Sequence, residues 1–312
     1  MLSRTADHLY WMSRYTERAE NMARMLEVTY RMSLQQQTQV GYWGAVLGIN
    51  GLEESYREKY GAINAGQVLR FMSVDLDNPS SILSCLRAAR ENCHAVRGTV
   101  TSEVWETINT TWLEGLETAK DLFQSSVQGS DMTKYFEWVK FRSHLSRGVT
   151  LGTMLQDDAF HFNRLGTFLE RADNTARLLD VKFDELAPQS VAGDEYYEWG
   201  ALLRSVSAFE IYRKVYRDVI TPQRVAELLI LREDMPRSLH SCMKEVHAIL
   251  VLVANSRSSE TIRRAGELDA RLRYDRIEDI VDAGLHDFLG RFLDKTADLG
   301  HRIAQDFLVP VA

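Results

Sequence analysis

The sequence predicts an all-α fold for this chain of 312 residues, and three observations carry that prediction. Only 5 prolines and 18 glycines punctuate it, which is sparse for a chain full of tight turns. No segment alternates apolar and polar residues with β-branched enrichment over strand length. Long stretches instead repeat apolar residues at three- and four-residue spacing, the pattern of amphipathic helices. With 45% apolar and 26% charged residues, there is ample material for a core. Disordered, collagen-like and disulfide-stapled classes are excluded.

Residues 3–33 read as one long helix, with Ser3 as N-cap. Ala6, Leu9, Trp11, Met12, Tyr15, Ala19, Met22, Ala23 and Leu26 fall on one broad face. A helix over about 36–60 follows, broken near Gly48 and Gly51, then a short helix at about 64–73. The turn at 76–81 places Pro79 in the first turn of a helix at about 80–97. Helices at Ser102–Ser125 and Asp131–Leu155 are separated by a turn at 127–131. From Asp157 a very long helix runs to about Leu186, and APQSVAGD at 187–194 reads as a linker. Helices at about 195–218, 222–231, 236–254 and 257–272 follow, and a terminal pair ends near Leu308.

A net charge of −7 and a pI near 5.7 give no global attraction to phosphate backbones or anionic lipid. Nucleic acid and membrane are therefore not expected partners. Cys85, Cys93 and Cys242 are odd in number and lack CxxC spacing, so a reducing, cytoplasmic setting is expected. The N-terminus has no apolar signal-like segment, and the longest apolar run, Ala248–Ala254, is too short to span a bilayer.

The chain is self-similar. Aligned without gaps, HLYWMSRYTERAENMARMLEV at 8–28 matches HFNRLGTFLERADNTARLLDV at 161–181. His8, Glu17, Arg18, Ala19, Asn21, Ala23, Arg24, Leu26 and Val28 recur as His161, Glu170, Arg171, Ala172, Asn174, Ala176, Arg177, Leu179 and Val181, and Glu20 stands opposite Asp173. Further on, Pro79, Ser81, Ser84 and Cys85 recur as Pro236, Ser238, Ser241 and Cys242. A single domain over 1–312 is expected, a pseudo-twofold helical bundle with repeat copies at about 1–120 and 157–290.

Arg14, Glu17, Arg18, Asn21 and Arg24 share the helix face opposite the apolar stripe. Glu170, Arg171, Asn174 and Arg177 do the same in the second copy, with Thr167 in place of Arg14. A solvated face of i,i+4 ion pairs is the plain explanation. It predicts that polar identities drift between copies, and they did not. Two uses remain open. The motifs bury as an Arg–carboxylate network with Asn bridging, or they line a cleft whose guanidinium groups hold a carboxylate or phosphate.

The segments LSRTADHLYWMSRYTERAENMARML, FHFNRLGTFLERADNTARLLDVKF, SAFEIYRKVY and MPRSL resemble the bacterial alpha-E domain family, a domain of unknown function. The resemblance covers nearly the whole chain and implies an all-helical protein. It also implies a setting beside, or fused to, a circularly permuted ATP-grasp ligase and a transglutaminase-like peptidase, with a proposed role in making or modifying peptides by amide ligation. Asn163-Arg164 stands where the first copy has Tyr10-Trp11, so the copies are not equivalent.

Other chemistry is weaker. Glu17-x-x-Glu20 and Glu170-x-x-Asp173 lack the histidine of a di-iron carboxylate bundle, so no metal is expected. No nucleophile elbow, phosphate loop or dinucleotide turn occurs, so no cofactor is expected on this chain alone and ATP would reach it through the partner ligase. Cys85 and Cys242 lie on apolar helix faces and read as core. Arg237, in the first turn of a helix beside Ser238, is a candidate anion contact, with an ordinary helix start as the alternative. Tyr212 and Arg213 share a basic face with Arg204, Lys214 and Arg217, solvated or docking a partner. The leading expectation is a helical partner or substrate-binding component of an ATP-grasp amide-ligase system, taking a peptide or amino-acid substrate on the polar face. The alternatives are a stand-alone enzyme on amide substrates and a non-catalytic scaffold with a buried salt-bridge core.

Overall fold

The computed structural model describes residues 1–34, 39–124, 129–185 and 194–308. Among the described residues there are fifteen helices and no strand. They are α1 (Ser3–Ser33), α2 (Gln39–Ile49), α3 (Glu53–Tyr60), α4 (Ala65–Ser73), α5 (Ile82–Ala95), α6 (Ser102–Gln124), α7 (Gly129–Thr153), α8 (Asp158–Glu185), α9 (Asp194–Ser205), α10 (Phe209–Tyr216), α11 (Pro222–Ile230), α12 (Leu239–Leu252), α13 (Ser259–Tyr274), α14 (Ile277–Asp282) and α15 (Leu285–Phe307). The all-α class is thus as the sequence predicts. The expected linker lies outside the described residues apart from Asp194, as do the first residues of the helix expected at 36 and part of the turn at 127–131.

The chain divides into two compact units, Met1–Thr167 and Phe168–Ala312. In the first, α1, α5, α6 and α7 form a ring in which each helix packs on the next and α7 closes back on α1. His8 near the start of α1 bonds Asn92 near the end of α5 at 2.8 Å. Arg147 of α7 meets Glu17, and Lys140 meets Glu27. Both neighbours therefore run antiparallel to α1. In the second unit α12 packs on α13, α13 on α15, and α11 contacts α9, α10, α12 and α14.

Several helix boundaries differ from expectation. Ser3 is not a cap: α1 starts at Ser3 after Leu2, with no side-chain cap. Pro79 and Pro236 lie before their helices, because Ser81 and Ser238 are the N-caps and accept from the N–H of Ser84 and Ser241 at 3.1 and 3.0 Å. The helix expected over 195–218 is two helices, α9 and α10, broken at Ser207, which adopts φ 56°. The equivalent break between α2 and α3 uses Gly51 at φ 64°, and only that one carries a sequence signal. Arg217 likewise ends α10 at φ 53° where Gly61 ends α3 at φ 75°. Each non-glycine residue in this left-handed region costs roughly 1 kcal/mol.

The surrounding details recur as well. Tyr56 and Tyr212 are fully buried, and their hydroxyls accept from the N–H of Asn64 and Thr221 at 3.2 and 3.1 Å. Asn64 and Thr221 in turn cap α4 and α11. Cys85 and Cys242 are buried, with Sγ 3.9 Å from the carbonyls of Pro79 and Pro236. Both are core residues, as expected.

Within the first unit, Gly166 of α8 lies directly against α1. A Cβ there would overlap the Tyr10 carbonyl oxygen and Ser13 Oγ. Backbone cannot yield as a side-chain tip can, so Gly166→Ala is expected to lose at least about 3 kcal/mol of stability. A urea midpoint equal to that of the parent chain would show that the helices do not approach so closely.

A second prediction concerns pH. Lys59 Nζ lies 2.8 Å from Asp75 Oδ2 and 2.7 Å from Asp77 Oδ2. The Tyr60 hydroxyl donates to Asp75 at 2.9 Å. Burial pushes the Asp75 carboxyl up, but hydrogen bonds from Lys59, Tyr60 and the Asp77 N–H outweigh it and hold the group below its ordinary value. A carboxylate lowered on folding stabilises the native state above its unfolded pKa, and that contribution is lost as pH falls through the folded one. Asp75→Asn should therefore flatten the fall in Tm below about pH 4. An unchanged slope would contradict the assignment.

Candidate functional site: a buried acid–base row on the first helix

α1 carries Glu17, Glu20 and Glu27 at helical spacing, and α7 carries Lys140, Ser143 and Arg147 in the opposite direction. Glu17 is 1% exposed and Glu20 0%. Arg147 Nη1 lies 2.9 Å from Glu17 Oε2 and 2.5 Å from Glu20 Oε2. Ser143 Oγ donates to Glu20 Oε2 at 2.8 Å. Arg24, one turn along α1, donates to Glu20 Oε1 from Nε at 2.8 Å. Both oxygens of the buried Glu20 thus accept charge-assisted bonds, as an ionised buried carboxylate requires. One end of the row is Glu27, held by Arg31 at 2.7 Å and by Lys140. At the exposed edge, the ring of His144 stands between Arg147 Nη2 at 2.7 Å from Nδ1 and Arg24 Nη2 at 3.2 Å from Nε2.

This overturns the orientation read from the helical wheel. Glu17 and Asn21, placed opposite the apolar stripe, are buried, while Trp11 and Tyr15, placed on the stripe, are only half-buried. The wheel assumes one core-facing side, but α1 packs against both α5 and α7. Arg14, Arg18 and Arg24 are half-buried. Arg14 donates to the Tyr10 hydroxyl at 3.1 Å and lies 5.2 Å from the Trp11 ring centroid. The residues that sequence reasoning missed are Lys140, Ser143, His144 and Arg147. Their spacing on α7 mirrors that of the α1 acids, and reading the two helices together was the available signal.

The second motif lies in the second unit. Glu170 and Arg171 are buried, Asn174 is half-buried and Arg177 is exposed. Arg171 Nη1 donates to the Pro236 carbonyl at 3.3 Å, and Thr175 Oγ1 donates to that of Arg237 at 2.9 Å. Arg177 pairs with Asp173 at 2.8 Å, as Arg24 does with Glu20. Arg237 is not in the first turn of a helix. It precedes the Ser238 cap and is 6% exposed. Tyr212 is buried and so does not share the basic face of α10. Among the described residues, no three His, Cys, Asp or Glu side chains converge as metal ligands.

The Glu-Arg dipeptide occurs twice in the sequence, at Glu17-Arg18 and Glu170-Arg171. In both copies the glutamate is buried. In both, the arginine lies over the aromatic ring three residues earlier, Arg18 over Tyr15 at 5.6 Å and Arg171 over Phe168 at 5.5 Å. The Alpha-E family, described as a predicted alpha-helical domain with a conserved ER motif, matches residues 1–308. The chain belongs to the Alpha-E family. Uncharacterized proteins of Mycobacterium tuberculosis and Mycobacterium bovis are 26% identical to this Alpha-E chain over 296 residues, covering 89% of it and 33% of each relative. The chain thus spans about a third of the length of the curated relatives it matches. No solved structure matches. No helix among the described residues is long and apolar enough to cross a membrane.

Removing one member of a buried charge network strands the other. Arg147→Ala should cost about 3–5 kcal/mol by leaving two buried carboxylates without their shared cation. Arg31→Ala, at a guanidinium 57% exposed, should cost less than about 1 kcal/mol. Equal losses in chemical denaturation would contradict the burial of the network.

Proposed function

We propose that this Alpha-E chain is the helical partner component of an ATP-grasp amide-ligase system, binding the ligase, its peptide or amino-acid substrate, or both. The observation that carries this reading is the length of the relatives. The matched region is a third of each, so in those proteins the helical domain accompanies a much longer chain. The resemblance to a family found beside or fused to circularly permuted ATP-grasp ligases supplies the identity of the companion, and ATP belongs to that companion. The site chemistry favours binding over catalysis. Glu20 engages Arg24, Arg147 and Ser143 with both oxygens, so proton transfer at Glu20 would first have to break that network. Arg177, with 46% of its side chain exposed, is the motif arginine best placed to take a carboxylate or acyl-phosphate from solution.

Burial of Glu17 and Glu20 also favours a second reading, a scaffold in which the first motif is purely structural. The deciding experiment measures ATP turnover by the candidate ATP-grasp partner with mixed amino acids and peptides, with and without this chain, alongside co-elution. Turnover that needs both proteins and falls in Arg177→Ala, with an unchanged Tm, is the expected result. Co-elution without any effect on turnover would leave the scaffold reading. Turnover by this chain alone would make it an enzyme in its own right.

A further inference from the structure

We infer that the end of α10 and the loop after it form a docking surface for an acidic segment of a partner protein, centred on Arg213, Lys214 and Arg217. The inference stands apart from the amide-ligase reading. It rests on a comparison between two locally matching pieces of the chain. α3 and α10 each end in a left-handed residue, and each presents a buried tyrosine, Tyr56 or Tyr212, whose hydroxyl pins the following loop. The two ends differ in backbone, with Gly61 at ψ −118° and Arg217 at ψ 30°, and the residues they display differ in charge. Glu53, Glu58 and Gly61 of the first become Phe209, Lys214 and Arg217 of the second, while Glu54 and Arg57 persist as Glu210 and Arg213 and Lys59 becomes Val215.

The consequence is a cluster of cations without a close ion pair, although Glu210 lies one turn before Lys214 on the same helix. In α3, Arg57 pairs with Glu53 at 2.7 Å. In α10, Phe209 takes the place of that glutamate, and its ring lies 3.9 Å from the Arg204 guanidinium. Among the described residues, no carboxylate lies within ion-pair distance of Arg213, Lys214 or Arg217, all three of which are exposed. The acids nearest in sequence on the following loops are engaged elsewhere, Asp218 by Arg224 at 2.7 Å and Asp234 by Arg232 at 2.6 Å. Most other arginines on exposed faces of this unit have partners, such as Arg263 and Arg264 on Glu260.

Two further features mark a presented surface. Arg217 occupies the left-handed region at φ 53°, a position with a local cost for a residue that carries a Cβ. The loop is also held by hydrogen bonds. The Tyr212 hydroxyl donates to the Val219 carbonyl at 2.9 Å, and Asp218 accepts from the Val219 N–H at 2.7 Å. Val219, 64% exposed, stands beside the cations as an apolar contact. Three cations and one aliphatic side chain on a loop held by hydrogen bonds complement a short acidic peptide. The αL N–H at Arg217 is already spent on the Arg213 carbonyl, so no backbone cradle for a phosphate is formed there.

The test uses the full chain and a fluorescein-labelled hexaglutamate peptide, followed by anisotropy at low salt. Saturable binding is expected, weakened about tenfold or more in Arg213→Glu/Arg217→Glu and unchanged in the matching Arg57→Glu. Arg217→Gly is expected to raise the thermal midpoint and weaken binding together, the signature of strain retained for recognition. The proposal is overturned by absent binding, by equal binding in the double variant, or by a more stable Arg217→Gly that binds as before. Preferential binding of an RNA oligonucleotide of equal charge would overturn it too, by marking a phosphate-backbone surface instead.

Discussion

The first unit depends on keeping Glu20 ionised inside the protein. A carboxylate at 0% exposure is tolerable only where cations and donors saturate it. Arg24 supplies one oxygen's partner from the same helix, while Arg147 and Ser143 supply the other's from α7. That requirement fixes more than one contact. With Arg147 opposite Glu17 and Glu20, the antiparallel arrangement carries Lys140 to Glu27. A slip of one turn along α7 would take Arg147 from Glu17 and Lys140 from Glu27. The acid–base row therefore favours the observed register of the two helices.

Much of this was legible in the sequence, and the failures have physical causes. Helix class and most helix centres follow from spacing, since few prolines or glycines interrupt the apolar period. The break before α3 was visible because Gly51 marks it. The break before α10 was not, because Ser207 adopts the same left-handed conformation with no glycine to announce it. The repeat pointed to residues with local jobs: Ser81 and Ser238 cap, and Cys85 and Cys242 pack. The polar face of α1 was found but turned the wrong way. A helix packed on two sides has no single solvent side for a wheel to reveal, and the balancing cations lie more than a hundred residues away.

The two Glu-Arg motifs show how one local pattern serves different surroundings. In each, the arginine lies over an aromatic ring one turn back, and the second arginine pairs with the acid four residues before it. Those contacts are intrahelical and travel with the sequence. Burial does not. The Arg24 side chain is 11% exposed and its acid fully buried, whereas Arg177 is 46% exposed and Asp173 24%. Replacing Glu20 by the shorter Asp173 accompanies the more open setting.

The same logic separates what the backbone demands from what the side chains are free to do. Gly51 and Gly61 in one unit, and Ser207 and Arg217 in the other, all have positive φ, although Gly61 at ψ −118° and Arg217 at ψ 30° turn the chain differently. In each unit the buried Tyr56 or Tyr212 hydroxyl holds the loop that follows. Glycine is the relaxed choice there, so Ser207 and Arg217 each carry a local cost, offset at Arg217 by a cation's favourable place at a helix C-terminus. Arg217, unlike Gly61, carries a charged side chain into solvent at the helix end, and that is what the proposed docking surface would use.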